Sequence, residues 1–310
     1  MAARPITVMG VFVADLAFRT PRLPGWGETV MGESFRIGPG GKGSNQAVAA
    51  ARLGGTVAFV GKLGRDPFGD LARATYAAEG IDTHFVFDSD GEPTGGAAIL
   101  VEAARAENAI VVHPGAGAAL TADEVERARP LIARSAVFMT NLELPVPVVM
   151  HGLRMARELG VTTVLNPAPA VPVPEGIFAL CDHLVPNEAE ATALSGLKFD
   201  TLEEAGRAAE ALRARGSGGV VLTLGGRGAL VAGPQGLHHV PAIKAGSVVD
   251  TTGAGDAFCG GFAIALAEGA DAVAATRFGC AVAGLAVTRW GTAPAMPRRA
   301  EVDALLARPG

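Results

Sequence analysis

The sequence predicts an α/β protein of three layers, with helices on both faces of a mostly parallel central sheet and a small β-sheet lid beside it. The first observation is alternation. Short apolar runs at Ile6 to Val13, Val57 to Val60, Val137 to Thr140, Thr163 to Leu165, His183 to Val185 and Val220 to Leu224 read as buried strands. Between them, Pro67 to Glu79, Val146 to Leu159, Leu202 to Arg215 and Phe258 to Ala267 carry apolar residues at three- and four-residue spacings, as helices do. The second observation is punctuation: Gly80, Gly160 and Gly216 stop the first three helices. Strands alternating with helices in this way pair in parallel and are covered on both sides. The third observation is a break in the rhythm at about 14–38 and 93–114, where Ala97-Ala98-Ile99-Leu100-Val101 and Ala109-Ile110-Val111-Val112 look like a separate β element. Such a sheet would cover the crevice at the carboxyl ends of the main strands, where open α/β folds bind ligands. No repeat or low-complexity linker divides the chain, so 1–310 reads as one domain with the lid as an appendage.

Composition narrows the function. Of 310 residues, 49% are hydrophobic and 18% charged, which supports a well-buried globular core. A net charge of −5 without long like-charge runs argues against nucleic acid or an anionic membrane as partner. No apolar run reaches membrane-spanning length, and Met1 to Arg4 leads straight into a strand, so a cytoplasmic location is expected. Cys181, Cys259 and Cys280 are widely spaced in apolar surroundings and read as reduced core thiols. The six histidines show no ligand spacing, and His238-His239 sits in a short strand-like surface segment.

Residues 250–262 place two carboxylates, Asp250 and Asp256, around a turn of small residues that enters a helix from about Ala257. Gly253 and Gly255 let the backbone turn its N–H groups outward, and the helix adds its positive dipole end, so an anion is favoured there. A carboxylate beside a bound phosphate is suited to take the proton of whatever attacks it. Taken alone, the segment reads more readily as an ordinary helix start with Asp256 as its cap than as a catalytic centre.

A second glycine-rich entry into a helix spans Gly38-Pro39-Gly40-Gly41-Lys42-Gly43-Ser44-Asn45-Gln46. Gly38, Gly40 and Gly43 satisfy the spacing of a dinucleotide fingerprint, but Glu28 to Ile37 before them alternates like a half-exposed strand rather than a buried first strand. A Walker A loop fails too, since Gly43 and no hydroxyl follows Lys42. What remains is a backbone that can approach a small polar ligand, with an ammonium and an amide to bond its hydroxyls. A sugar fits that description.

Together the two segments resemble the signatures of the ribokinase-like, or PfkB, family of sugar kinases: Gly40-Gly41-Lys42-Gly43-Ser44-Asn45-Gln46-Ala47, and Asp250-Thr251-Thr252-Gly253-Ala254-Gly255-Asp256. Asn141-Leu142-Glu143, Asn166-Pro167-Ala168-Pro169, Asn187-Glu188-Ala189-Glu190 and Thr223-Leu224-Gly225-Gly226-Arg227-Gly228 resemble its intermediate landmarks in order, and the ribokinase branch matches best. The resemblance implies ATP-dependent phosphorylation of a pentose 5-hydroxyl, D-ribose first. Asp256 would be the base, and the N–H groups of Gly253, Ala254 and Gly255 the anion cradle. It assigns the sugar to Val13, Asp15, Gly41, Lys42, Gly43, Asn45 and Glu143. ATP goes to Asn187, Glu190, Thr223, Gly225, Gly228 and Cys280, with Mg2+ on the phosphates and Glu190 ordering its waters. It also implies a K+ site from Asp250, Thr252, Ala286, Arg289 and Gly291. A homodimer through the lid is expected because an exposed face of the small sheet would be buried against a twin.

Two positions depart from the pattern. Ala295 stands where ribokinases typically offer a serine to the cation, and Val13 stands where they carry an asparagine after the first strand. A sugar hydroxyl buried against Val13 without a partner would cost roughly 1–3 kcal/mol. That opens 2-deoxyribose as an alternative substrate, beside nucleosides and other PfkB sugars. A non-catalytic sugar- or nucleotide-binding protein is the alternative of another class, against which Asp256 argues.

Overall fold

The computed structural model describes residues 5–103 and 108–308; the first four residues and residues 104–107, inside the second lid stretch, lie outside the described residues. Its strands are β1 (Ile6–Met9), β2 (Val13–Thr20), β3 (Ser34–Gly40), β4 (Val57–Gly64), β5 (Asp82–Ser89), β6 (Thr94–Glu102) and β7 (Asn108–Gly115). They continue with β8 (Val137–Asn141), β9 (Thr162–Asn166), β10 (His183–Leu184), β11 (Gly219–Thr223), β12 (Ala229–Gly233) and β13 (Gly236–Val240). Nine form one sheet in the order β13-β12-β11-β10-β9-β8-β1-β4-β5, parallel throughout except for the β11–β12–β13 edge. From β1 the chain builds first toward β4 and β5, then returns to β8 and builds the other way. That reversal between β1 and β8 leaves a crevice at the strand carboxyl ends, the place where ligands of doubly wound sheets bind.

Helices cover both faces because the strands carry apolar side chains on both. Ile6, Val8, Val137, Met139 and Val164 pack against the Lys42–Arg52, Ala254–Ala267 and Ala272–Ala286 helices, while Met9, Phe138, Leu165 and Leu184 belong to the cluster on the Val146–Glu158 side. The Pro67–Ala78, Val146–Glu158 and Leu202–Ala214 helices end just before Gly80, Gly160 and Gly216, all at positive φ, as the sequence predicts. Cys181, Cys259 and Cys280 are buried free thiols. Among the described residues no helix is long and apolar enough to cross a membrane.

The run Ile6 to Val13 is not one strand. It breaks after Met9, and Gly10-Val11-Phe12 carries the chain from the large sheet into the small one, whose order is β3-β2-β6-β7. The break has a steric cause: a Cβ on Gly10 would sit 2.7 Å from the Cα of Gly43, so the backbone there is pressed against the start of the Lys42–Arg52 helix. The small sheet occupies the two stretches that interrupt the main alternation. One of its faces is apolar and open to solvent, with Phe18, Phe35, Ile37 and Val111 on it, all at least 39% exposed.

The Lys42–Arg52 and Ala254–Ala267 helices approach closely because Gly260 has no side chain; a Cβ there would lie 2.5 Å from the Ala49 Cβ and 2.9 Å from the Gln46 carbonyl. Filling this contact forces two helices apart, an overpacking penalty of about 1–3 kcal/mol. We therefore expect Gly260→Val to lower the unfolding free energy in urea by that amount, seen as a lower midpoint at an unchanged slope; an unchanged midpoint would show that the helices can separate freely.

Candidate active site

Two helix starts meet at the crevice. The Lys42–Arg52 helix begins at Gly41, whose φ of 88° is open only to glycine at little cost, and a Cβ there would collide with the Val11 carbonyl at 2.4 Å. The Ala254–Ala267 helix begins at Gly253, with φ of 76°, three residues earlier than the apolar pattern indicates. Asp256 is therefore inside the helix and does not cap it. Its Oδ2 accepts from Asn45 Nδ2 at 2.9 Å and its Oδ1 from Gln46 Nε2 at 3.2 Å, both reaching across from the other helix. A carboxylate used as a cap would have spent those oxygens on its own backbone.

The cavity beside Asp256 encloses about 150 Å3, and its walls include Lys42, Asn166, Asn187, Glu190, Thr223 and Cys259 together with Gly253 and Gly255. A Cβ on Gly255 would meet open space, so that glycine faces the void. The N–H groups of Gly253 and Gly255 have no acceptor among the described residues. Ala254 corrects the expected cradle: its N–H already donates to the Thr251 carbonyl at 3.2 Å, and the residue does not line the cavity.

Charge is concentrated here beyond what the sequence displays. Burial pushes the Asp256 carboxyl up, while the Lys42 ammonium and the two amide donors pull it down. Burial also raises Glu143 to about 7, opposed by Lys42 and reinforced by Asp256. Asp15 rises to about 6, again through burial, with the Thr292 hydroxyl opposing and Asp256 adding repulsion. Glu190 is raised by burial against the Asn187 N–H and Lys42. For Lys42 burial alone would favour the neutral amine, but Asp256, Glu143, Glu190 and the Cys259 thiol outweigh it and hold the ammonium above its ordinary range. Three carboxyl groups, Asp256, Glu143 and Glu190, thus act on the Lys42 ammonium, with Asp15 close enough to feel Asp256, an arrangement typical of functional centres.

The sugar-side residues expected from the sequence come together. The Lys42 N–H donates to Glu143 Oε2 at 2.9 Å, and Glu143's own N–H donates to Asn141 Oδ1 at 3.1 Å, so a helix start holds the carboxylate and the end of β8 holds its backbone. Gly43 packs on Gly10, Asp15 accepts from Thr292 Oγ1 at 3.3 Å, and Val13 starts β2 almost fully buried. On the other flank, Asn187 and Glu190 form a reciprocal cap: Asn187 N donates to Glu190 Oε2 at 2.8 Å and Glu190 N to Asn187 Oδ1 at 2.9 Å. Both residues still border the cavity, so capping and ligand contact are not exclusive. Thr223 borders it too, whereas Gly225 and Gly228 shape the turn just beyond. Cys280 does not border it; it is buried in the core, and Cys259 is the thiol in the wall.

The segments expected to hold a monovalent cation are also adjacent. Asp250 Oδ1 accepts from the Thr252 N–H at 2.9 Å and Oδ2 from the Gly291 N–H at 3.0 Å, while the Val287 carbonyl accepts from Val249 and Asp250. The Ala286 carbonyl accepts from the Arg289 N–H at 3.1 Å, and Ala295 is buried nearby without a side-chain oxygen.

Gln46, Asn166 and Thr292 were not singled out by sequence reasoning. Gln46 lies within the N-terminal signature and Asn166 at a marked strand end, but nothing in the sequence shows which way an amide points. Thr292 is 277 residues from its partner Asp15, and no local pattern reveals such a contact.

Comparison with known proteins agrees with this geometry. Residues 4–299 match the pfkB family carbohydrate kinase profile. Ribokinase from Haemophilus influenzae is 38% identical over 298 residues, covering 96% of this chain and 97% of the relative. Deoxyribokinase from Salmonella typhi is 36% identical over 293 residues, covering 94% and 95%. Among solved structures, that of Arabidopsis thaliana ribokinase complexed with ribose and ATP superposes with a TM-score of 0.91 at 30% identity, over 99% of this chain and 100% of that one. The chain belongs to the pfkB family of carbohydrate kinases.

Proposed function

We propose that the protein transfers the γ-phosphoryl group of ATP to the 5-hydroxyl of a pentose, D-ribose first. The observation that carries this reading is Asp256: a buried carboxylate, gripped by amides of a facing helix, beside the unoccupied N–H groups of Gly253 and Gly255 and the Lys42 ammonium. Such a carboxylate has a proton-accepting role, and the open N–H groups can take up charge on the group being transferred. Asp15, Asn45, Glu143 and Lys42 supply acceptors and donors for sugar hydroxyls. Asn187, Glu190 and Thr223 form the wall toward the nucleotide, with the Gly225–Gly228 turn and Cys280 behind it.

Mg2+ supplies charge neutralisation when bound to the phosphates. Among the described residues no group of three His, Cys, Asp or Glu could cage a metal, which suits an ion that keeps its waters and leans on phosphate oxygens. Glu190 is placed to accept from those waters. For K+, Asp250 and the carbonyls of Thr252, Ala286, Arg289 and Gly291 form a set of oxygen donors suited to a large monovalent cation. Asp250 ties its two loops by accepting from both, and each of its oxygens retains a lone pair. Ala295 leaves that site one side-chain oxygen short of the ribokinase pattern. The cytoplasm, where ATP is kept, is the expected location.

A coupled ADP-release assay with ribose, MgATP and KCl tests the assignment. Turnover is expected in the parent, with Asp256→Asn losing about 10²- to 10⁴-fold in kcat. A variant as fast as the parent would end the reading of Asp256 as the base, and a parent without turnover on any sugar would end the kinase reading.

Val13 favours a second substrate. It is buried, and it cannot bond a hydroxyl where ribokinases carry an amide, so a sugar lacking that hydroxyl avoids a penalty of roughly 1–3 kcal/mol. The predicted ratio of kcat/KM for 2-deoxyribose over ribose is at or above one; a ribose preference of about a hundredfold or more discards the deoxy substrate.

The open apolar face of the small sheet supports a homodimer through the lid, since such a face is normally covered. We expect the protein to sediment as a dimer and Val111→Asp, at a 74% exposed position, to sediment as a monomer. A monomeric parent would refute the pairing.

A further inference from the structure

Asp256 is held from two sides, and the two amides that hold it differ in what else they do. Asn45 belongs to the residues proposed to meet the sugar. Gln46 is fully buried and does not line the cavity, so it cannot touch a ligand directly. Its Nε2 divides its two hydrogens between Asp256 Oδ1 at 3.2 Å and Asn166 Oδ1 at 3.1 Å. Asn166 in turn donates from Nδ2 to the Val185 carbonyl at 2.9 Å, which is main chain at the end of the neighbouring strand. Because Val185 offers only an acceptor, Asn166 must present nitrogen to it and oxygen to Gln46. Gln46 must then present nitrogen toward Asp256. The orientation of the last amide is set by a backbone carbonyl two links away.

We propose that Gln46 is a positioning residue for Asp256, the last member of a directional amide relay from the Val185 carbonyl through Asn166 that fixes one carboxylate oxygen and keeps the base ionised. A hydrogen bond to a charged group in a buried site favours the charged form. Here that favour opposes the burial of Asp256, a role that Asn45 cannot fill alone while it serves the sugar. The other ionisable groups that act on Asp256 or feel its charge, namely Lys42, Asp15, Glu143, Glu190 and Cys259, remain in the chain when Gln46 is replaced, so the variants differ from the parent first in the donor to Oδ1. The inference rests on reading Asp256 as the proton acceptor.

The test is the pH dependence of kcat in Gln46→Met, which keeps the length and removes the donor, and in Gln46→Glu, which keeps the shape and adds a like charge. The acid limb of the profile, which reports the base in the substrate complex, should move up by about one to two pH units in Gln46→Met and further in Gln46→Glu. At pH 7 the loss in kcat should be about 10- to 100-fold, with partial recovery at high pH and a sugar KM within about twofold of the parent. The position of the limb does not depend on how much of a variant is folded, so poor yield leaves the reading intact. If the limb stays at the parent position in either variant, or the loss falls mainly on KM, Gln46 is a packing residue and the proposal fails. Asp256→Asn separates this from the underlying assignment: an inactive Asp256→Asn with an unmoved limb at Gln46 removes only the relay, whereas a fully active one removes the base itself.

Discussion

The constraint on which the rest of the structure depends is the burial of Asp256, Glu143 and Glu190 around the Lys42 ammonium, with Asp15 adding repulsion on Asp256 from its own partly buried place. Several carboxylates facing one cation out of water cannot be balanced by that cation alone, because desolvation of each charge costs more than one shared partner returns. The fold makes up the difference with dipoles. Asn45 and Gln46 donate to Asp256, the Lys42 N–H to Glu143, the Asn187 N–H to Glu190 and the Thr292 hydroxyl to Asp15. These donors come from three separate parts of the chain, the start of the Lys42–Arg52 helix, Asn187 and Thr292, so the site exists only once those parts have come together.

That assembly is governed by glycines more than by side chains. Two helices must point their amino ends at one place, and both must come close enough for an amide on one to reach a carboxylate on the other. Gly10 against Gly43 brings the first helix down onto the end of β1, and Gly260 brings the second helix against Ala49. Gly41 and Gly253 supply the left-handed turns that start those helices. Packing here serves electrostatics: a separation increased by one methyl group would stretch the bonds from Asn45 and Gln46 to Asp256 beyond useful length.

The alternation of strands and helices was legible because burial on both faces leaves a periodic trace, and the glycine stops are local. The small sheet could be located by what it interrupted. Its first boundary was not legible, because Val13 continues the apolar run of β1 and only the contact between Gly10 and Gly43 shows where the chain must leave the main sheet. In the site, Lys42, Asn45 and Asp256 could be read from their signatures, whereas the Thr251 carbonyl that occupies the Ala254 N–H could not, since backbone pairing at a helix start depends on its true first residue. Cys259, which in the sequence reads as a core thiol, is the thiol at the wall of the cavity beside Asp256, whereas Cys280 lies away from that cavity in the core.

The same electrostatics bear on selectivity. Sugar hydroxyls approaching Asp15 and Glu143 find carboxyl groups whose proton affinity burial has raised to about 6 and about 7, so each can exist in either form near neutrality. A hydroxyl that donates to the ionised form returns part of the hydration lost on folding, and the ligand completes a charge balance that the protein leaves partial. Val13 contributes nothing to that balance. At its position the site offers apolar surface only, and discrimination there comes from the penalty of stranding a hydroxyl rather than from a bond gained. On the proposed reading, recognition of the sugar is therefore asymmetric: carboxylates would reward hydroxyls at one set of positions, and a buried valine would penalise one at another.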